Sequence, residues 1–214
     1  MLAISRNILI LLSTGLMLLL VGCESTKDTV DSESSSNVST ASKNNVTLLE
    51  SMIEKRQDFE LVVLSDGRLL AIGGRGVGER SGVSAVDTTE VYDPVTDKWT
   101  QSGTMSDIRS VTSAVELEDG TVLVSGGAAD QRNSTSLTEI WDPSTGEWTI
   151  VADMNQAREK FGLIRLEDGR VIAIGGSDNE GQHTATVEIY DPAADIWTLI
   201  DPMGENRIWH TTTA

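Results

Sequence analysis

The sequence predicts an all-β chain of tandem four-stranded units, on three observations. Trp99, Trp148 and Trp197 recur 49 residues apart. Tyr92-Asp93-Pro94, Trp141-Asp142-Pro143 and Tyr190-Asp191-Pro192 keep that spacing, as do Met105, Met154 and Met203, and Arg109, Arg158 and Arg207. Upstream, Asp66-Gly67, Asp119-Gly120 and Asp168-Gly169 each precede an apolar stretch ending in paired glycines: Gly73-Gly74, Gly126-Gly127 and Gly175-Gly176. Self-similarity at a fixed period of this length marks stacked supersecondary units rather than one irregular domain.

The first segment reads as an export signal rather than as fold. Arg6 is the one charge in residues 1–7, and a mainly apolar run from Ile8 to Val21 follows. Fourteen residues of helix reach about 21 Å, short of the roughly 30 Å hydrocarbon core, so a cleaved signal peptide over residues 1–22 fits better than a membrane span. Leu20-Val21-Gly22-Cys23 resembles the lipobox of bacterial lipoproteins, and Cys23 is the only cysteine of the chain. That resemblance implies lipidation at Cys23 and an exported protein anchored to a membrane. By resemblance to lipoprotein sorting in enteric bacteria, Glu24 rather than Asp implies the outer membrane in a Gram-negative cell; otherwise the anchor is expected on the extracellular face of the cell membrane. With one cysteine there is no internal disulfide, and the fold must stand on its core.

Residues 23–45 comprise the lipid-bearing cysteine and a Ser-, Thr- and Asn-rich stretch with too little apolar surface to offset the entropy of ordering. It is expected to act as a tether spanning about 25 Å root-mean-square. The formal net charge of −17 forms no basic patch, which argues against nucleic-acid binding.

Residues 46–214 carry the repeats, with units at about 57–108, 109–157 and 158–206 and the start of another at 207–214. In the third unit Phe161 to Leu166 alternates into an Asp-Gly turn, a strong hairpin signal. Val171 to Ile174 returns as a continuous apolar run, the pattern of a strand buried on both faces. The paired glycines that end it suit positive φ or close backbone approach. Thr186 to Tyr190 forms a third strand, Asp191-Pro192 opens a tight turn, and Ile196 to Ile200 forms the outer strand around Trp197. A buried tryptophan contributes at most about 5 kcal/mol, so one per unit serves as filler between units. The first unit is four residues longer, in the loop after Gly74. Before it, Met52 and Arg56 repeat the Met-to-Arg spacing, and Val46 to Leu49 falls where an outer strand is expected, a lone one with no partner in this sequence.

Four strands per unit, the Gly-Gly pair and the spaced aromatic–Trp pair resemble the kelch repeat over residues 46–214. The resemblance implies a β-propeller. Propellers of this family close with six or seven blades, so the sequence is expected to hold part of one; the alternative is two copies contributing three blades each.

Candidate binding residues follow from what repeats and what does not. Arg56, Arg109, Arg158 and Arg207 precede the innermost strands and are expected near one mouth of the central channel. There they form an anion or sugar-acid site, or do one structural job in every unit, which their repetition favours. Trp209 and His210 break the pattern at an inner strand, and an aromatic beside an imidazole suits a sugar face. His183, Arg75, Glu79 and Arg80 read as solvated loop residues. The family includes copper-radical sugar oxidases resembling galactose oxidase. They need two Tyr, two His and a Cys, whereas the only cysteine here is the lipid site, so no metal or cofactor is expected. The leading expectation is a non-catalytic module for a protein or carbohydrate ligand. The alternative is a carbohydrate-active enzyme, of sugar-oxidase or sialic-acid-epimerase type, with its catalytic residues in blades outside this sequence.

Overall fold

The computed structural model describes residues 6–13, 16–23, 47–78, 82–129 and 133–213, with backbone alone for 6–13, 16–23, 77–78 and 82–83. The chain divides into two units, residues 1–51 and 52–214.

In the first unit β1 (Arg6–Ser13) pairs antiparallel with β2 (Leu16–Cys23), from Arg6 opposite Cys23 to Ser13 opposite Leu16. No helix among the described residues is long and apolar enough to cross a membrane. The expected tether, residues 24–45, lies outside the described residues, as does Val46. Of the outer strand expected at Val46 to Leu49, the described residues Thr47 to Leu49 are irregular. A strand exists by virtue of its ladder, and these residues have no partner strand.

The second unit holds three four-stranded antiparallel sheets, the blades. Blade 1 is β4 (Glu60–Val63), β5 (Leu69–Ile72), β8 (Thr88–Asp93) and β9 (Lys98–Thr104). Blade 2 is β10 (Ser113–Glu116), β11 (Val122–Ser125), β12 (Thr138–Trp141) and β13 (Trp148–Ile150). Blade 3 is β14 (Gly162–Arg165), β15 (Val171–Ile174), β16 (Val187–Asp191) and β17 (Ile196–Ile200). The inner strands β4, β10 and β14 are neighbours and line one side of an open groove with Leu61, Val63, Glu116, Ile164 and Arg165. The extra residues of the first unit are no plain loop. They form a hairpin, β6 (Arg75–Gly78) with β7 (Gly82–Ala85), that pairs with β3 (Arg56–Gln57).

Two apolar clusters sit between consecutive blades. Val62, Leu64, Leu70 and Ile72 of blade 1 meet Val122, Val124 and Trp141 of blade 2, with Trp148 at the edge. Leu117, Leu123 and Met154 then meet Phe161, Val171, Ala173 and Trp197 of blade 3. Trp148 and Trp197 therefore fill inter-blade space, while Trp99 is half-buried against Tyr92, ring centroids 5.2 Å apart. Successive side chains of a strand point to opposite faces, so every second strand must be apolar on both. All four residues of β5 and of β11 are buried. The expectation for Val171 to Ile174 is corrected here: Val171 and Ala173 are buried, but Ile172 and Ile174 only partly, because among the described residues no sheet packs on that side of blade 3.

The turns behave as their residues dictate. Gly67, Gly120 and Gly169 have φ of 90°, 84° and 86°, and the preceding aspartates each accept the backbone N–H two residues on. Asp93, Asp142 and Asp191 do the same for Val95, Ser144 and Ala193, at 2.8–2.9 Å. Donation by the Ser144 hydroxyl and N–H holds the Asp142 carboxyl below its ordinary value.

Candidate functional site

The Gly-Gly corners and the arginines form one device. Gly126 and Gly127 have φ of 62° and 98°. A Cβ on Gly126 would lie 2.5 Å from the Arg158 carbonyl oxygen, and one on Gly127 would lie 2.8 Å from that of Ser110. Both reasons for glycine, conformation and close approach, operate together. Gly73-Gly74 and Gly175-Gly176 are built alike, against Arg109 and Arg207. The close approach has a purpose. Gly74, Gly127 and Gly176 donate their N–H to the carbonyls of Arg109, Arg158 and Arg207, at 2.9, 2.9 and 2.8 Å.

The side chain of each arginine goes to the next blade. Arg158 Nη1 donates to the carbonyls of Gly175 (2.9 Å) and Thr186 (3.1 Å), and Nη2 to Glu188 at 2.5 Å. Arg56 does the same with Gly73, Thr88 and Glu90, the last at 2.6 Å. Arg109 donates to Leu137 at 3.1 Å and pairs with Glu139. The glutamates also hold the junction backbone: Ile53, Ser106 and Asn155 donate to Glu90, Glu139 and Glu188 at 2.7–2.8 Å. Main chain on one blade and guanidinium in the next make Arg109 and Arg158 staples between sheets. Both are fully buried, and Arg56 is 5% exposed. Burial pulls the Arg109 and Arg158 guanidiniums down from their ordinary value, opposed by Glu139 and Glu188.

Three of the four arginines, for which repetition favoured one structural job over an anion site, thus sit inside the blades with their Nη groups turned to protein acceptors. The charge-paired, hydrogen-bonded setting is what a buried guanidinium requires. Arg207 keeps the main-chain half of the arrangement, its N–H donating to Thr184 at 3.2 Å, but its side chain is exposed. Glu90, Glu139 and Glu188 are absent from the residues that the sequence singled out. Their spacing, 49 residues in each step, and their place as charges inside apolar strands are the signal that could have found them.

Two residues past each arginine the chain turns with positive φ: Asp58 at 53°, Val111 at 54°, Lys160 at 58° and Trp209 at 53°. These corners touch, Val111 donating its N–H to Asp58 O at 2.9 Å and Trp209 to Lys160 O at 3.0 Å. Here the units differ in chemistry: an acid, an aliphatic, a cation and an aromatic. Trp209 is 65% exposed. Lys160 Nζ lies over its ring, 5.6 Å from the centroid, and pairs with Glu159, which also receives Ser177 Oγ at 3.4 Å. At the first corner Arg75 reaches toward Asp58 at 3.9 Å and donates to Ser110 Oγ at 3.2 Å.

His210 is not displayed beside Trp209. It is half-buried against Gly175 much as Phe161 lies against Gly126, and neither of its nitrogens has a partner among the described residues. His183 is an exposed loop residue bridged to Ser177. Glu79 and Arg80 lie outside the described residues, and so does the Cys23 side chain. No group of three or more His, Cys, Asp or Glu among the described residues is placed to hold a metal ion. Glu60, another residue that no repeat or motif marks, opens β4 and is half-buried; burial pushes its carboxyl up to about 7 against a hydrogen bond from the Ala114 backbone.

The kelch motif matches residues 61–106, 119–155 and 168–204, more than half of the chain. The chain is 39% identical over 66 residues to the spermatocyte protein spe-26 of Caenorhabditis elegans, covering 30% of this chain and 11% of that protein. The solved structure of YjhT superposes with a TM-score of 0.66 at 16% identity, over 77% of this chain and 57% of that one. The chain therefore spans a small part of one relative and somewhat over half of the other. With three motifs in register and each falling on a four-stranded blade, the chain belongs to the kelch-repeat family of β-propeller proteins.

Proposed function

We propose that this protein is a carbohydrate-binding module, exported and held at a membrane by lipid on Cys23. The observation that carries the reading is Trp209, exposed at a set of corners where the blades diverge and flanked by the Lys160–Glu159 pair. An indole face offers the apolar platform that pyranose C–H groups stack on, and an adjacent ammonium–carboxylate pair supplies a donor and an acceptor for neighbouring hydroxyls. The buried arginines serve the scaffold in this reading, so binding rests on the corners alone. The anchor is supported by the apolar run that ends at Leu20-Val21-Gly22-Cys23 and by the absence of any other cysteine from the sequence.

Intrinsic fluorescence titrated with a panel of neutral oligosaccharides tests the binding role. A saturable change that disappears in Trp209→Ala and weakens about tenfold or more in Lys160→Ala is expected. A panel without a responder, beside a protein partner whose capture survives Trp209→Ala, would overturn it. Incorporation of labelled palmitate, abolished by Cys23→Ser with release of the protein from membranes, tests the anchor separately.

A further inference from the structure

We infer that the site takes an oligosaccharide of at least two linked rings rather than a single sugar, and that His183 is the residue that reads the second ring. The inference rests on the carbohydrate reading of Trp209 and extends it from the corner along blade 3. Past the Gly-Gly corners, three short segments of each blade run side by side, and their facing residues form a row. The rows are Gln57–Arg75–Ala85 on blade 1, Ser110–Ala128–Ser134 on blade 2 and Glu159–Ser177–His183 on blade 3. Residues directly opposite one another across antiparallel segments carry their side chains on one face. No position of the row keeps its residue type from one blade to the next, so the backbone ladder holds the rows and leaves their side chains free to differ.

Two of the rows are closed to a ligand. On blade 2 Ser110, Ala128 and Ser134 are 1%, 1% and 7% exposed. On blade 1 the side chain of Arg75 is taken up by Ser110 and Asp58. The row of blade 3 is open and leads away from the indole. Glu159 is held by Lys160, whose Nζ lies over Trp209; Ser177 donates to Glu159 at 3.4 Å and forms a low, buried floor; His183 stands exposed at the far end. The pairing fixes the length of this row. Glu159 and Ser177 exchange both N–H···O bonds, at 3.0 and 2.9 Å. Ser177 and His183 form the other kind of pair, flanked by bonds from Asp178 to Gln182 and from Thr184 to Gly176. Such pairs set their Cα atoms about 5.5 Å and about 4.5 Å apart, which puts His183 about 10 Å from Glu159. A ring stacked on Trp209 and bonded to the Lys160–Glu159 pair does not extend that far. A second ring linked to it lies over Ser177 and meets the imidazole, which offers vicinal hydroxyls one donor and one acceptor.

Calorimetric titration with glucose and cellobiose, and with N-acetylglucosamine and chitobiose, tests this. In the responding series the disaccharide is expected to bind at least about tenfold more tightly than the single sugar, the worth of one or two added hydrogen bonds. That ratio should fall below about threefold in His183→Ala, while His183→Gln, which keeps a donor and an acceptor, retains part of it. The ratio is the readout because a general loss of folded protein weakens both sugars alike. A tenfold ratio that survives His183→Ala would overturn the assignment of His183 and leave the Trp209 reading intact. Equal affinity for the two sugars, lost in Trp209→Ala, would show a site for one ring and overturn the inference alone. A protein that binds none of the four sugars would remove the carbohydrate reading and this inference with it.

Discussion

Tyr92 donates its hydroxyl to Asp97 at 2.8 Å across the β8–β9 turn, and Tyr190 does the same to Asp195 at 2.9 Å. In the middle blade both positions change together, to Trp141 and Gly146. The indole has no hydroxyl to offer an aspartate, and its Nε1 donates instead to Ser102 of blade 1 at 3.0 Å. Ser102 also faces the Gly146 carbonyl, and a Cβ on Gly146 would stand 3.1 Å from Ser102 Oγ. The two substitutions thus belong to one packing solution. A double-mutant cycle on Trp141→Tyr and Gly146→Asp is expected to show coupling of at least about 0.5 kcal/mol, the pair being less destabilising than the sum of its members. Additivity in urea denaturation would refute the linkage.

The staples predict an asymmetric cost. Removing one partner of a buried ion pair strands the other, at about 3–5 kcal/mol, while removing both together costs less than the sum. Arg158→Ala should therefore destabilise severely through the abandoned Glu188, and Arg158→Met with Glu188→Leu should recover part of the loss. Thermal unfolding of the two single variants and the double variant reads this directly.

Glu60 gives stability a pH dependence of unusual sign for a carboxyl. Its folded-state pKa, about 7, stands above the ordinary 4.5, so the native protein holds this proton more tightly than the unfolded chain does. Its contribution is most favourable below about pH 4.5 and is lost as pH rises through 7. Glu60→Gln is expected to flatten the decline between pH 5 and 8, gaining about 1–3 kcal/mol at pH 8 and little at pH 5. A parallel pH profile for the two proteins would show that Glu60 is not the titrating group.

The tyrosines provide a spectroscopic check. Burial, then the hydrogen bond and charge of Asp97, push the Tyr92 hydroxyl up to about 12, and Tyr190 is raised by burial and by Asp195 in the same way. These are the only two tyrosines in the chain. Absorbance near 295 nm should therefore show no tyrosinate step around pH 10 while the protein is folded. Asp97→Asn should bring one of the two transitions lower.

Glycines of like φ should differ in cost according to their surroundings. Gly181 has φ of 72°, and a Cβ added there would meet nothing within 4 Å, so Gly181→Ala carries only the conformational penalty of about 1 kcal/mol. Gly126→Ala adds contact with the Arg158 carbonyl at 2.5 Å, on the very atom that Gly127 must reach. A loss of more than about 3 kcal/mol is expected there. Equal losses would mean the corner relaxes freely.

The repeat was legible because each blade needs the same turns, corners and fillers, and these are fixed by short-range chemistry: Asp-Gly and Asp-Pro at turns, Gly-Gly where a neighbouring carbonyl approaches, Trp between sheets. Repetition also favoured a structural job for the arginines, but did not reveal their glutamate partners. Arg158 and Glu188 lie on different strands 30 residues apart, and recurrence alone does not say which side chain meets which. Ile172 looked like Leu123 in sequence, since an apolar strand reads the same whether or not a sheet covers its second face. Trp209 stood out as a departure from the repeat, whereas His210, its neighbour, proved to fill the place that Phe161 fills one unit earlier. The strand expected at Val46 to Leu49 was inferred from spacing, which locates a position but does not supply a ladder.

The staple also fixes the order in which the chain can become rigid. Each arginine leaves the ribosome 30 to 34 residues before its glutamate: Arg56 before Glu90, Arg109 before Glu139, Arg158 before Glu188. Until the third strand of the next blade has been made, the guanidinium must stay hydrated, and the junction it will clamp stays loose. Each arginine–glutamate link is therefore short in sequence and points from earlier to later residues. Such a chain can set progressively from its amino end, one sheet templating the next, with cooperativity passed between neighbours rather than imposed by a single global core.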